Sequence, residues 1–303
     1  MSVALPQFRV GEPVRHEALA VFPLFSDSVG NVDYHLSDSA LADGSLLVEE
    51  INESGSVPEL LVENKGDVRV LFLEGEELVG AKQNRVLNTS VLVAAHTKMK
   101  IPVSCVEQGR WGYKSQHFNS SGSHSPYKIR HSLKSSVTRS IKEKRGHSSD
   151  QGEVWKQVAS LNAMHNVESD TWAMSDTFEF HQDKIADYRK EIQYVEGASG
   201  VAVAVGDRIL SVDLFDKPET CQKVWNRLLT GVVFDALEAG KTEKTIQIDD
   251  VKQLLSVAGE FPWEQCDAIG EGEEYRAESP KGDHASALTL EQTIIHGSVV
   301  TAL

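Results

Sequence analysis

Short apolar runs separated by turn residues fill the first third of the chain. Residues 18–25 and 45–51 read as strands broken by Ser, Asp and Gly. Residues 68–73, Val-Arg-Val-Leu-Phe-Leu, form another, and Glu74-Gly75 follows as a turn before 78–80 resumes. Residues 86–93 are rich in β-branched side chains, which favour a pleated, half-buried surface. Residues 101–106 alternate, with Pro102 at a strand start or an edge because it has no N–H for a ladder. Several short strands with turns between them predict an antiparallel sandwich or barrel-like unit.

The period then changes. Residues 112–125 are rich in Ser, Gly, His and Asn and predict a loop. Residues 127–145 predict a basic helix, weakened by Ser132, Ser135, Ser136 and Thr138. Residues 151–167 place Val154, Val158, Leu161 and His165 on one helical face behind Asp150 as N-cap. Asp176-Thr-Phe-Glu179 predicts a capping box for a helix through Ile192, lined by Phe178, Ile185, Tyr188 and Ile192. Residues 200–215 return to period two and turn at Gly206-Asp207, a hairpin. Pro218 opens a broadly apolar, hence central, helix that Gly240 closes. A shorter helix from Asp249 or Asp250 to Ala258 ends at Gly259, and residues 286–300 predict closing strands. The expected fold class is α+β. A β-rich N-terminal half is followed by helices with an inserted hairpin and closing C-terminal strands. As regions, this gives 1–113 for the β-rich part, 114–150 for a basic Ser/His-rich loop or linker, and 151–303 for an α+β part. Whether the last shares a domain with the first is left open.

Composition narrows the class. Of the 303 residues, 40% are hydrophobic and 25% charged, the balance of an ordinary core-forming protein. The apolar runs are too short to cross a bilayer, and the first ten residues lack the basic start and apolar core of a signal peptide. The three cysteines, Cys105, Cys221 and Cys266, are widely spaced with no CxxC pair. Together these predict a cytoplasmic protein with neither a membrane partner nor a zinc ribbon. A net charge of −15 argues against general nucleic-acid binding. The charge is uneven: Arg110 to His147 carries nine Lys or Arg against Glu143 alone, and Glu260 to Asp283 carries eight acids against Arg276 and Lys281. The basic stretch reads either as an anion-binding flap or as a segment pairing with acidic surface of this chain or of a second subunit. A protein partner or a homo-oligomer fits the second reading.

Two polar clusters stand at the ends of the apolar runs. In the first, Gly75 and Gly80 permit turns, and a carboxylate pair, Lys82, Gln83, Asn84 and Arg85 lie between them and Val86. Lys82 and Arg85 can hold a phosphate or carboxylate, and Gln83 and Asn84 can read donor and acceptor edges. Glu76 can hold a cation, a ribose hydroxyl or Lys82. The plain alternative is a solvated hairpin loop. The second cluster, 104–111, offers Glu107 as a general base, Gln108 beside it, and Arg110 with Trp111 to clamp or stack a planar anionic ligand. Its alternative is a Glu107–Arg110 salt bridge with Trp111 packed in the core. Cys105 is tied to no histidine by any motif, and His117, His124 and His131 recur every seven residues without a close metal-binding pair. No phosphate loop, GxSxG, Walker or HExxH motif occurs, and no cofactor is indicated.

The run from Leu73 through Arg85 to Val93, followed by Ile-Pro-Val-Ser-Cys-Val-Glu-Gln-Gly-Arg-Trp111, resembles the ARG and rhodanese-phosphatase-superfamily-associated protein domain, a prokaryotic family. Residues 201–215 and the helix after them fit the same pattern. The family is named for association with ADP-ribosylglycohydrolases and rhodanese-like phosphatases, not for a reaction. The resemblance therefore implies ADP-ribose, NAD-derived or other phosphorylated ligands by association alone. It carries over Glu76, Lys82, Gln83, Asn84, Arg85, Asn88, Glu107, Gln108, Arg110 and Trp111 as motif positions, with no roles attached.

The leading expectation is a pocket for a small anionic ligand, nucleotide or ADP-ribose-like. Lys82, Arg85 and Arg110 neutralise it, Gln83 and Asn84 orient it, Trp111 stacks, and Asn88 and Gln108 join them as ligand-binding positions. Any hydrolysis uses Glu76 or Glu107 as base. The alternatives are a non-enzymatic scaffold or regulatory subunit whose polar motif is a structural network and whose basic segment docks a partner, and a cation-dependent enzyme with Glu76 and Glu107 as oxygen ligands.

Overall fold

The computed structural model describes residues 5–239 and 245–303. Those residues hold 7 helices and 18 strands, 29% helix against 34% strand, an α+β fold. The chain begins with β1 (Phe8–Val10), β2 (Val14–His16) and β3 (Leu19–Ser26), then β4 (Tyr34–Leu36) and α1 (Ser37–Ala42). A run of strands follows: β5 (Leu46–Glu50), β6 (Glu59–Asn64), β7 (Arg69–Phe72), β8 (Glu76–Gly80), β9 (Arg85–Leu87), β10 (Val91–Val93), β11 (Thr97–Cys105) and β12 (Phe118–His124). Four helices come next: α2 (Tyr127–Lys142), α3 (Gln151–Met164), α4 (Met174–Phe180) and α5 (Gln182–Glu191). The chain ends through β13 (Gly200–Val205), β14 (Arg208–Phe215), α6 (Pro218–Glu238), α7 (Ile248–Gly259), β15 (Glu264–Cys266), β16 (Glu273–Glu278), β17 (His284–Leu290) and β18 (Thr293–Val300).

The chain divides into two compact units that interleave in sequence. One takes the residues up to Val32, Asp183–Asp267 and Gly272–Leu303; the other takes Asp33–Gln182 and Ala268–Glu271. These bounds do not fall at the 113 and 150 positions suggested by the sequence.

The first unit is built on a nine-stranded antiparallel sheet, β1-β3-β13-β14-β18-β17-β16-β15, with β2 also on β3. Its centre is the predicted hairpin: β13 and β14 turn at Gly206-Asp207, where Gly206 takes a φ of 61°. Every residue of β13 is buried, so alternation is lost and both faces are covered. Phe22, Leu24, Ala202, Ala204 and Val212 pack with Val251 and Ala258 of α7. Pro218 starts α6 as expected, and Val224, Trp225, Leu229 and Val233 are buried. The predicted stop at Gly240 lies outside the described residues. The α7 capping box is formed by Gln247 and Asp250.

The second unit pairs a curled six-stranded sheet, β12-β8-β9-β11-β6-β5, with a three-stranded sheet, β10-β7-β4. The curl brings β12 back to β5. Among the described strands of this unit, β4 and β7 are the pair that runs parallel. Val48, Leu60, Val62, Phe72, Leu78, Leu87, Val103 and Phe118 fill the space inside. Outside, α3 packs on α2, α4 and β11. Asp150 caps α3, its carboxylate accepting from the Glu153 N–H at 3.1 Å.

Three local expectations are corrected. Within the expected loop at 112–125, residues 118–124 form β12, which bends through an irregular register against β8. The capping box at Asp176 does not form. Ala173 is the N-cap of α4, Asp176 is inside it, and Ser169 donates to its carboxylate. The helix expected through Ile192 is two helices, α4 and α5. No helix among the described residues is long and apolar enough to cross a membrane.

Candidate functional site

The β8–β9 connection sets the site. Gly75 opens β8 at a φ of +84°, and a Cβ there would come within 2.6 Å of the His124 ring. Only glycine gives both that turn and that approach. After Gly80 the chain turns through residues 81–84 and returns as β9. Lys82, Gln83, Asn84 and Arg85 are all buried, so the solvated loop is not what forms. The three-stranded stretch β8-β9-β11 lays Cys105 opposite Arg85 and Arg85 opposite Leu78.

Glu107 and Arg110 do form an ion pair, and they tie the two clusters together. Arg110 donates from Nε to Glu107 Oε1 at 2.8 Å and from Nη2 to Oε2 at 2.6 Å, a bidentate fork. Its remaining donors reach the Gly80, Ala81 and Gly112 carbonyls and Asn84 Oδ1. Glu107 also accepts from the Asn84 N–H at 2.9 Å and the Thr171 hydroxyl at 3.0 Å. Burial works against the Glu107 charge, but Arg110, Asn84 and Thr171 outweigh it and hold the carboxyl below the usual range. Gln83 donates to the Glu107 carbonyl at 2.9 Å, and Asn84 to Ser175 at 3.1 Å. The guanidinium and the carboxylate are thus satisfied within the protein.

Arg85 is different. It is fully buried, and Nη1 donates to the Gln83 carbonyl at 3.0 Å. Among the described residues its Nε and Nη2 have no hydrogen-bond partner, and Nη2 stands 3.7 Å from Glu50 Oε1. The Oε2 of Glu50 is also buried, with no hydrogen-bond partner among the described residues. Such unfilled charged groups are expensive to bury. The Trp111 ring faces Arg85, its centroid 5.9 Å from the guanidinium carbon. Trp111 is 49% exposed, so it is not in the core as the alternative reading held. Lys82 Nζ sits 5.2 Å from the Trp111 ring and 5.1 Å from that of Tyr113, and it donates to the Glu53 carbonyl.

An open groove of about 950 Å³ runs beside this arrangement, lined by residues 49–53 and 113–116. Lys82, Gln83, Asn84, Arg85, Glu107, Arg110 and Trp111 are therefore one connected constellation, with its Lys82–Tyr113 end at the groove.

Other predicted residues lie apart. Glu76, at the start of β8, is fully buried and accepts from the Ser37 hydroxyl and from the Leu73 N–H at 3.1 Å. Asn88 donates to the His147 carbonyl at 2.9 Å and accepts from the Ser104 hydroxyl at 2.5 Å. The Gln108 side chain is exposed, and its carbonyl faces Gln83. Burial pushes the Cys105 thiol up, away from the thiolate a nucleophile needs. Neither Glu76 nor Glu107 belongs to a group of three potential metal ligands among the described residues. In the basic stretch, Lys134 pairs with Glu74 at 2.6 Å with both side chains fully buried.

Sequence reasoning missed Glu50, Glu53 and Tyr113, which the curled sheet brings to Lys82 from other strands and loops. It also passed over Glu77. That carboxyl is fully buried, and burial raises its pKa to about 8. Ser121 opposes the shift, and Glu107, Asp176 and Glu179 add to it. Its only sequence signal was a charge beside Glu76 in an otherwise apolar strand.

No curated protein and no solved structure gives a significant match to this chain. A family model, the ARG and Rhodanese-Phosphatase-superfamily-associated Protein domain, matches residues 7–300 and so takes in both units and the whole constellation. The chain belongs to that family.

Proposed function

We propose that this protein binds a small nucleotide-like ligand in the groove of the second unit. The observation that carries the reading is the Arg85–Glu50 pair. Three buried polar atoms, Arg85 Nε and Nη2 and Glu50 Oε2, have no hydrogen-bond partner among the described residues, and Glu50 lines an open groove. Ligand sites concentrate such polar groups beside aromatic walls. Trp111 and Tyr113 supply exposed rings for a base, and Lys82 and Lys114 supply positive charge for an anionic group. Glu76 and Glu107 act here as parts of the frame: one is wholly buried, and the other has its carboxylate filled by Arg110, Asn84 and Thr171.

The scaffold reading keeps one observation in its favour, the complete internal use of Arg110. The two readings separate in a thermal-shift screen with AMP, ADP-ribose and NAD. The binding reading expects a concentration-dependent rise in Tm, since a ligand that binds only the folded state stabilises it. Trp111→Ala, at an exposed position, should leave the ligand-free Tm close to that of the unaltered protein and abolish the rise. No shift with any of the three would favour the scaffold.

A further inference from the structure

The loop between β5 and β6 closes on Lys82. Asn52 shapes it: the Gly55 N–H donates to the Asn52 carbonyl at 2.9 Å and to Asn52 Oδ1 at 3.0 Å, with Gly55 at a φ of +77°. A Cβ at Gly55 would stand 3.0 Å from Trp111 Cζ2 and 3.2 Å from Lys82 Cδ. The bare backbone of the loop therefore packs directly on the indole and on the lysine stem. Lys82 Nζ in turn donates to the Glu53 carbonyl. Asn52 and Glu53 are also part of the groove wall.

Lys82 is 8% exposed, and among the described residues no carboxylate forms an ion pair with it. Its ammonium is met by the Glu53 carbonyl and by the Trp111 and Tyr113 rings at 5.2 and 5.1 Å. A buried ammonium without a counter-charge is costly, and a neutral carbonyl is a weaker partner for it than an anionic oxygen. Resting on the binding reading above, we infer that Lys82 is the latch of loop 52–57. In the free protein it holds the loop down through the Glu53 carbonyl. An anionic ligand takes over the ammonium and releases the loop. The sign of the effect is unusual, since a bound ligand ordinarily rigidifies the segments around it, whereas here it loosens one wall of its own groove.

Hydrogen exchange of the full chain, read by mass spectrometry on peptides spanning 51–58, tests this with AMP as the probe and calorimetry as the independent measure of binding. Without ligand, Lys82→Met should exchange these amides about threefold or more faster than the unaltered protein, because methionine keeps the apolar stem and loses the donor to the Glu53 carbonyl. Saturating AMP should raise exchange in the unaltered protein by a similar factor and leave that of Lys82→Met where it was. Calorimetric binding of AMP with exchange at 52–57 unchanged or slowed would overturn the latch while leaving a ligand site in the groove. Equal exchange in ligand-free Lys82→Met and unaltered protein would overturn it too, whatever AMP does. No binding of AMP would remove the groove reading and the release with it.

Discussion

Two buried acids in the second unit, Glu77 on β8 and Glu107 just after β11, meet opposite fates. Glu107 is charged because the Arg110 guanidinium, the Asn84 N–H and the Thr171 hydroxyl answer it. Glu77 has no comparable partners and keeps its proton to about pH 8. The difference is hydrogen bonding, since burial alone pushes both upward. A consequence for stability follows. The ordinary glutamate value is 4.5, so between pH 4.5 and about 8 the folded protein holds a proton that the unfolded chain has released. Stability through this group is complete below the unfolded value and is lost as pH rises through the folded one. Urea denaturation from pH 5 to 8.5 should show the midpoint falling with pH. Glu77→Gln should flatten that fall and raise the midpoint at the alkaline end. A Glu77→Gln profile that runs parallel to the unaltered one would mean that Glu77 is not the group responsible.

At the scale of elements, the chain was most legible where local chemistry decided the outcome. The 200–215 hairpin has a two-residue turn and a strict period, and Asp150 stands directly before the helix it caps. Replacing Asp150 with Ala should cost about 1 kcal/mol, read from the denaturation midpoint, because one N–H at the start of α3 loses its acceptor. A cost near zero would show that water replaces the cap fully. Legibility failed where distant contacts decided. Asp176 to Glu179 has the letters of a capping box, yet Ala173 starts α4. The Glu107–Ala173 bridge and the Met174 N–H to the Val106 carbonyl (2.9 Å) fix the chain there first. The Ser- and Gly-rich stretch before α2 has the composition of a loop, but residues 118–124 complete a sheet edge against β8. Composition cannot see an available edge.

The chain as a whole separates what a linear reading joins. Two polar clusters twenty residues apart do converge, through β8, β9 and β11, and that much followed from strand ends carrying polar residues. The groove beside them did not follow. Its acidic wall comes from residues 49–53, at the end of a predicted strand, and Tyr113 comes from a stretch whose composition reads as a loop. The sequence-derived site thus held the buried frame and missed most of the surface a ligand would touch. The interleaved units have the same origin: residues 268–271 pair with Leu92 through Gly270, a contact across most of the chain length. The account rests on ligand contact at Trp111, and the indole N–H signals of the five tryptophans report it directly. With Trp111 assigned by a Trp111→Phe protein, titration with AMP should move the Trp111 signal saturably and leave that of buried Trp225 in place. A Trp111 signal that stays fixed while AMP is raised to millimolar concentration would contradict the proposed groove.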